Sequence, residues 1–219
     1  MSVSAASVSD AQNQNQRPSL EGLLAFVVSD RQLHAKWINT FSLLESIGFR
    51  KIIKSHKAQE LTTEVLQHAF EESRHALLLK KLAVRVGGLG FDTFEPDHLF
   101  CGDSAVSYFQ TLDAVCAREL GSAKLCYLYV TWLVEVRALQ VYEAHRAAAA
   151  KGDAACQGVA TQLARLLREE ESHLDEVEVS LRVLDPEFEM RGAEFQKVER
   201  LLFATFLEQA QNTVAHALA

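Results

Sequence analysis

An all-α fold is predicted by three features of this sequence. Only 10 Gly and 3 Pro punctuate 219 residues, apolar residues make up 48% of them, and those residues recur at steps of three and four over long runs. Many short strands would need denser turn signals. The length suits one core, so a single helical domain is expected over residues 19–219, behind a tail of residues 1–18. The tail is polar and rich in Gln, Asn and Ser, with neither a basic n-region nor an apolar h-region. It reads as disordered and not as a signal.

After Pro18, Ser19 is placed to cap an apolar-periodic run that extends to about residue 55, with a break near Ser29 and Asp30. A second run covers about 58–86 and stops at Gly87 and Gly88. The stretch VGGLGFDTFEPDHLFCGD then holds four of the ten glycines and no helical period. Periodicity resumes near Ser104, breaks at Gly121 and Ser122, and continues to about Ala150, where Lys151, Gly152 and Asp153 signal a turn. The next helix spans about 156–184 and ends before Pro186. The last, about 192–216, carries Phe195, Val198, Leu202, Phe206 and Ala210 on one side. Six helices are expected, four of them long. The links between the long ones run short, long, short, as in a bundle whose middle connection crosses its full length.

Composition excludes several classes. A net charge of -7 and the lack of a Lys/Arg tract argue against nucleic acid as a partner. No segment approaches the ~20 charge-free apolar residues of a membrane span, so a soluble, cytoplasmic protein is expected. Cys101, Cys116, Cys126 and Cys156 include no pair at CxxC spacing. That rules out a zinc ribbon or rubredoxin-type iron site and leaves reduced thiols.

The informative residues lie where the apolar seams turn polar. In the second long helix the seam reads Leu61, Val65, His68, Glu72, His75, Leu79, Leu82, Val86. In the fourth it reads Val159, Leu163, Leu166, Glu170, His173, Val177, Leu184. The other two long helices each place one acid at the matching height: Glu45 among Ile38, Phe41, Gly48 and Ile52, and Glu135 among Leu125, Leu128, Trp132, Leu139 and Tyr142. Four buried carboxylates without compensation would cost several kcal/mol or stay protonated, and no Lys or Arg sits on these seams. Two divalent metal ions would supply the positive charge, with oxygen and imidazole donors suited to iron or manganese.

The register supports convergence. Two residues of a helical hairpin share a height when the turn lies midway between them, because both helices rise ~1.5 Å per residue. Glu135 and Glu170 have their midpoint at Gly152 and Asp153. Glu45 and Glu72 have theirs near residue 58, in SHKAQ, which has neither Gly nor Pro. If Gly48 ended the first helix, Glu45 would be displaced. Glu143 is the rival to Glu135, which the turn position favours.

At these residues the chain resembles the ferritin-like di-iron and di-manganese carboxylate superfamily, in which a Glu from each of two helices joins a Glu-x-x-His from each of the other two. The resemblance covers about residues 34–184. It implies a ferritin-like four-helix bundle with a long crossover and additional helices. It also implies Glu45, Glu72, His75, Glu135, Glu170 and His173 as catalytic ligands of two Fe ions, with Mn or a mixed pair as alternatives. A His in both halves resembles the oxygen-activating members and bacterioferritin, and EESRH is similar to the corresponding segment of soluble acyl carrier protein desaturases. Leu79 and Val177 stand where a radical tyrosine of a ribonucleotide reductase small subunit would be sought, which disfavours that role. The lack of CxxC pairs removes the tail of conventional rubrerythrins. His68, one turn before Glu72, is similar to the extra His of aminobenzoate-type N-oxygenases, though on the other motif helix, and is either a further ligand or an outer hydrogen-bonding residue. Thr131, Trp132 and Tyr142 flank Glu135, and ordinary core packing is expected for them, with the lining of a substrate pocket or an electron relay as the alternative.

The implied function is a non-haem di-iron oxidase or oxygenase that uses O₂ to oxidise a small, mostly apolar or carrier-bound substrate. Its electrons would come from an external donor, a reductase or ferredoxin. The alternative is a ferroxidase, bacterioferritin-like or manganese catalase-like metal or peroxide handler. A third reading is a non-catalytic helical interaction module that forms a homodimer through the apolar face of residues 195–210.

Overall fold

The computed structural model describes residues 19–218, and every α-helix or turn of helix among them follows the expected all-α pattern, with no strand. The expectations for residues 1–18 lie outside the described residues. Seven α-helices are present where six were expected: α1 Leu20–Ser29, α2 Arg31–Ser55, α3 Thr63–Gly87, α4 Gly102–Leu120, α5 Ala123–Ala149, α6 Ala154–Leu184 and α7 Phe188–Leu218.

The extra helix comes from one capping residue. Asp30 leaves the helical conformation, and its carboxylate accepts from the N–H groups of Gln32 and Leu33 at 2.8 and 2.9 Å, so α1 ends and α2 begins there. Gly48 does not end α2, which continues to Ser55. α3 starts at Thr63, later than expected, because the Thr62 hydroxyl caps it and Ala58–Glu60 form a separate 3-10 turn. At the far end of α3 a Cβ on Gly87 would lie 2.3 Å from the Phe91 ring and 2.5 Å from Ala35, so only glycine fits. Gly88 follows at φ +100°, a conformation that favours glycine.

The irregular stretch after α3 contains 3-10 turns at Leu89–Asp92 and Pro96–His98. Its carbonyls are satisfied from below: Asn39 Nδ2 donates to Thr93 and His98 at 3.0 and 2.9 Å, and Lys80 Nζ donates to Thr93 at 3.0 Å. This is how a long link lies over a core without orphaned backbone. α7 begins at Phe188, earlier than expected, directly after the Asp185 turn.

Two antiparallel hairpins make the centre. In α2/α3, Arg31 Nε donates to the Val86 carbonyl and Ser42 Oγ to that of Ala76 at 2.8 Å. In α5/α6, Tyr129 Oη donates to Asp185 at 2.6 Å. Helices α4 and α7 cover one flank. Phe109, Leu112 and Cys116 pack on Tyr127, Val130 and Leu133, while Phe203, Phe206 and Ala210 join Trp37 and Val141. The side of α7 considered for a homodimer is therefore buried within its own chain at Phe195, Phe206 and Ala210. Leu184 also departs from its expected seam: it is exposed, and Leu181 is buried instead.

A buried ion pair latches α7 in place. Glu199 accepts from Arg137 Nε and Nη2, each at 2.7 Å, and from Tyr108 Oη at 2.7 Å. Glu199→Ala leaves the Arg137 charge without its carboxylate and the Tyr108 phenol without its acceptor, and is expected to cost about 3 kcal/mol, read as a lower urea midpoint at unchanged m-value.

The contact between α2 and α5 also contains two histidines, His34 and His145, whose Nε2 atoms are 2.8 Å apart and buried. Burial pushes His34 down to about 4 against the attraction of Asp153, and burial followed by the charge of His34 holds His145 well below the usual range. An unfolded imidazole titrates near pH ~6.5, so below that pH the unfolded chain binds more protons than the folded one. The stability carried by the pair is complete above about 6.5 and is lost as pH falls through 4. Denaturation of His145→Gln followed across that window should show a shallower acid slope than the parent chain. An equal slope would remove the pair as a source of acid sensitivity.

Candidate metal centre

The two hairpins bring all six expected ligands together. Glu45 comes from α2, Glu72 and His75 from α3, Glu135 from α5, and Glu170 and His173 from α6. The turn at Ala58–Glu60 lies midway between Glu45 and Glu72, and the one at Lys151–Asp153 midway between Glu135 and Glu170. One donor atom each from Glu45, Glu72, His75 and Glu170 lie within 4.8 Å of one another, and so do one each from His68, Glu72, Glu135 and His173. Glu72 belongs to both sets, and His68, undecided from sequence, is in the second. Glu143 is exposed and bonded to Arg146, which excludes it as the rival of Glu135.

Both motif histidines turn Nδ1 inward. His75 Nδ1 is 3.0 Å from Glu170 Oε1, and His173 Nδ1 lies 3.2 Å from Glu72 and 3.1 Å from Glu170. His68 Nε2 is 3.4 Å from Glu72 and 4.0 Å from Glu135. Four buried atoms here, Glu72 Oε1, Glu170 Oε1, His75 Nδ1 and His68 Nε2, have no well-directed hydrogen bond and face the same centre. Such orphans, in a mixed carboxylate and imidazole set, fit divalent ions of the iron or manganese type.

Two further acids were missed in the sequence. Each motif has a second Glu directly before its ligand Glu, and each of these reaches the other motif's histidine. Glu169 meets His75 Nε2 at 2.7 Å, and Glu71 meets His173 Nε2 at 2.9 Å. An imidazole that donates Nε2–H outward presents the Nδ1 lone pair inward, as a metal ligand must. The doubled Glu in EESRH and EEESH was the available signal.

Protons balance the charge when no metal is bound. Burial first, and then the charges of Glu72 and Glu170, push Glu45 and Glu135 far above the usual carboxylate range, so both are held as acids. Burial opposes ionisation of Glu72 and Glu170, but the imidazoles beside them, His173 at both, His68 at Glu72 and His75 at Glu170, hold them below that range. The histidines respond in kind. Burial disfavours their charged forms, yet the Glu170 carboxylate beside them raises both, and His173 is pushed up to about 11. A metal ion entering this site must displace these protons.

A mostly apolar cavity of about 90 Å³ lies against the cluster. Glu45, Glu72, Glu135 and His68 form part of its wall. Tyr142 and Thr131, expected in ordinary packing, line it as well, and the Tyr142 hydroxyl donates to Glu45. Trp132 does pack in the core, on Phe188 and Tyr129. Gly48 lies where a Cβ would be 3.6 Å from Glu72 Oε2, so the helix passes close to the site.

Compared with known protein families, with curated proteins and with solved structures, the chain matches none.

Glu71→Ala and Glu169→Ala should each weaken Fe(II) or Mn(II) binding at least about tenfold. Both acids lie at the edge of the site, so the folded baseline should change little. Titration of the metal-free variants with either ion would show it, and unaltered affinity would mean that the crossed pairs do not position the histidines.

Proposed function

We propose that this chain is a non-haem dinuclear oxidase or oxygenase with a ferritin-like bundle formed by α2, α3, α5 and α6, and with α4 in the crossover. The observation that carries this reading is the joint one: two donor sets share Glu72, and the same carboxylates wall an apolar cavity. In this reading Glu45, His75 and Glu170 hold one ion, His68, Glu135 and His173 hold the other, and Glu72 lies between them. Two Fe ions are the leading choice, with Mn or a mixed pair as variants.

Bound iron would supply one-electron chemistry with O₂, which side chains of this type do not. The protein's own part is positional. Glu71 and Glu169 fix the imidazoles, the Tyr142 hydroxyl donates to Glu45 and orients it, and the apolar walls exclude water from whatever organic molecule enters. The electrons for such chemistry would come from an external donor such as a reductase or ferredoxin.

A ferroxidase, bacterioferritin-like or manganese catalase-like protein is the second reading. Its substrate would be an ion or peroxide and would need no apolar chamber, so the cavity favours an organic substrate. The interaction-module reading loses its proposed surface, because the apolar side of α7 is covered within the chain.

The test is metal content. Protein purified anaerobically and loaded with Fe(II) should hold about two irons per chain and change its visible spectrum on exposure to air. The Glu72→Ala/Glu170→Ala variant should do neither. A chain that takes up neither iron nor manganese above background would refute the proposal.

A further inference from the structure

The cavity beside the candidate metal centre adjoins a cleft on the outer surface. Lys51, Phe109 and Tyr127 belong both to the lining of the cavity and to that of the cleft, between the end of α2 and the α4–α5 turn. The cleft sets three cations, Arg50, Lys51 and Lys54, against one acid, Asp113. Lys51 is already paired with Asp113. Arg50 Nε donates to the Ser46 carbonyl of its own helix at 2.9 Å, and neither Arg50 nor Lys54 pairs with a carboxylate among the described residues. On a chain of net charge -7 this is a local reversal of sign. Deeper in the cavity, Arg137 offers no competing anchor, because both Glu199 oxygens hold it at 2.7 Å.

From the surface inward the order of chemistry is thus cationic cleft, the shared side chains of Lys51, Phe109 and Tyr127, apolar chamber and carboxylate–imidazole cluster. We propose that the protein binds a single-chain amphiphile with an anionic head. The head sits at Arg50 and Lys54, Lys51 exchanges Asp113 for it, and the tail passes Phe109 and Tyr127 to end against Glu45, Glu135 and His68. Binding depends only on the cleft and cavity; the fate of the tail rests on the oxidase reading above. The carbons brought to the centre are those farthest from the head group.

Calorimetric titration of the full-length, chelator-treated protein would test this with decanoate, decyl phosphate, decanol and decyltrimethylammonium. One anion per chain should bind, at least about tenfold tighter than decanol and more weakly as salt is raised. The tighter of decanoate and decyl phosphate then identifies the head group. Arg50→Gln/Lys54→Gln, at two solvent-facing positions, should remove about tenfold of the anion affinity and leave decanol unchanged. Ala138→Phe, on the cavity wall, should weaken every probe. Equal affinity for decanol and decanoate, preference for the cationic probe, or an anion preference that survives the double variant would each overturn the proposal. Metal counted on the same preparations separates the two readings. About two irons per chain without decanoate binding overturns the amphiphile and leaves the centre standing. Decanoate binding by a chain that takes up no metal supports the amphiphile and removes the oxidase.

Discussion

Four carboxyl groups within reach of one another in the middle of a helical core set the conditions that the rest of the protein has to meet. Ionised together and uncompensated, they would cost several kcal/mol each. Glu72 and Glu170 are held as anions by imidazoles at 3.0 to 3.2 Å, while Glu45 and Glu135 are kept as acids. The same arrangement that makes the metal-free centre tolerable gathers oxygen and nitrogen donors into two sets that could each hold a metal ion. The ordinary cost of preorganising charged ligands is here met by protons in the absence of metal.

That balance also joins the two hairpins. Within each hairpin the contacts are mostly apolar and local, but α3 meets α6 through Glu71 with His173 and Glu169 with His75. Each half thus completes the other's histidine, so neither hairpin alone has a correctly oriented imidazole. Arg74 adds to this by pairing with Glu169, holding in place the acid that orients His75. Assembly of the centre and docking of the hairpins are the same event, which ties the geometry of the site to the tertiary fold and not to either helix pair.

Most of this was legible in the sequence because it rests on period and spacing. The Glu and His residues interrupt otherwise apolar seams, and the hairpin midpoints place Glu45 with Glu72 and Glu135 with Glu170 from the helical rise alone. What escaped depends on tertiary contact or on caps. Asp30 looked like a weak break, yet its carboxylate satisfies two backbone donors and divides a helix in two. Glu71 and Glu169 flank the ligand positions and read as solvated charge until α3 and α6 are brought together. Tyr142 fits a packing position at helical spacing, and its bond to Glu45 exists only because α2 and α5 cross there. The cavity was invisible for a related reason: a void is a property of several helices at once, and periodicity reports on one.

The centre is also sided. α3 and α6, which supply the histidines, close it with the crossed acid–imidazole pairs, and α6 contributes nothing to the cavity wall. α2 and α5, which supply one Glu each, line the cavity with small or apolar residues such as Gly48, Val134 and Ala138, and α4 and α7 roof it. The carboxylates kept as acids, Glu45 and Glu135, are thus on the cavity side together with Glu72, and of the four only Glu170 stays out of the wall. Glu45 and Glu135 each have fewer partners among the imidazoles and are the freer to change their bonding when a molecule arrives from the cavity. On the oxidase reading proposed above, this sidedness would let a reactant approach from one face while the acids that orient the imidazoles are secured from the other.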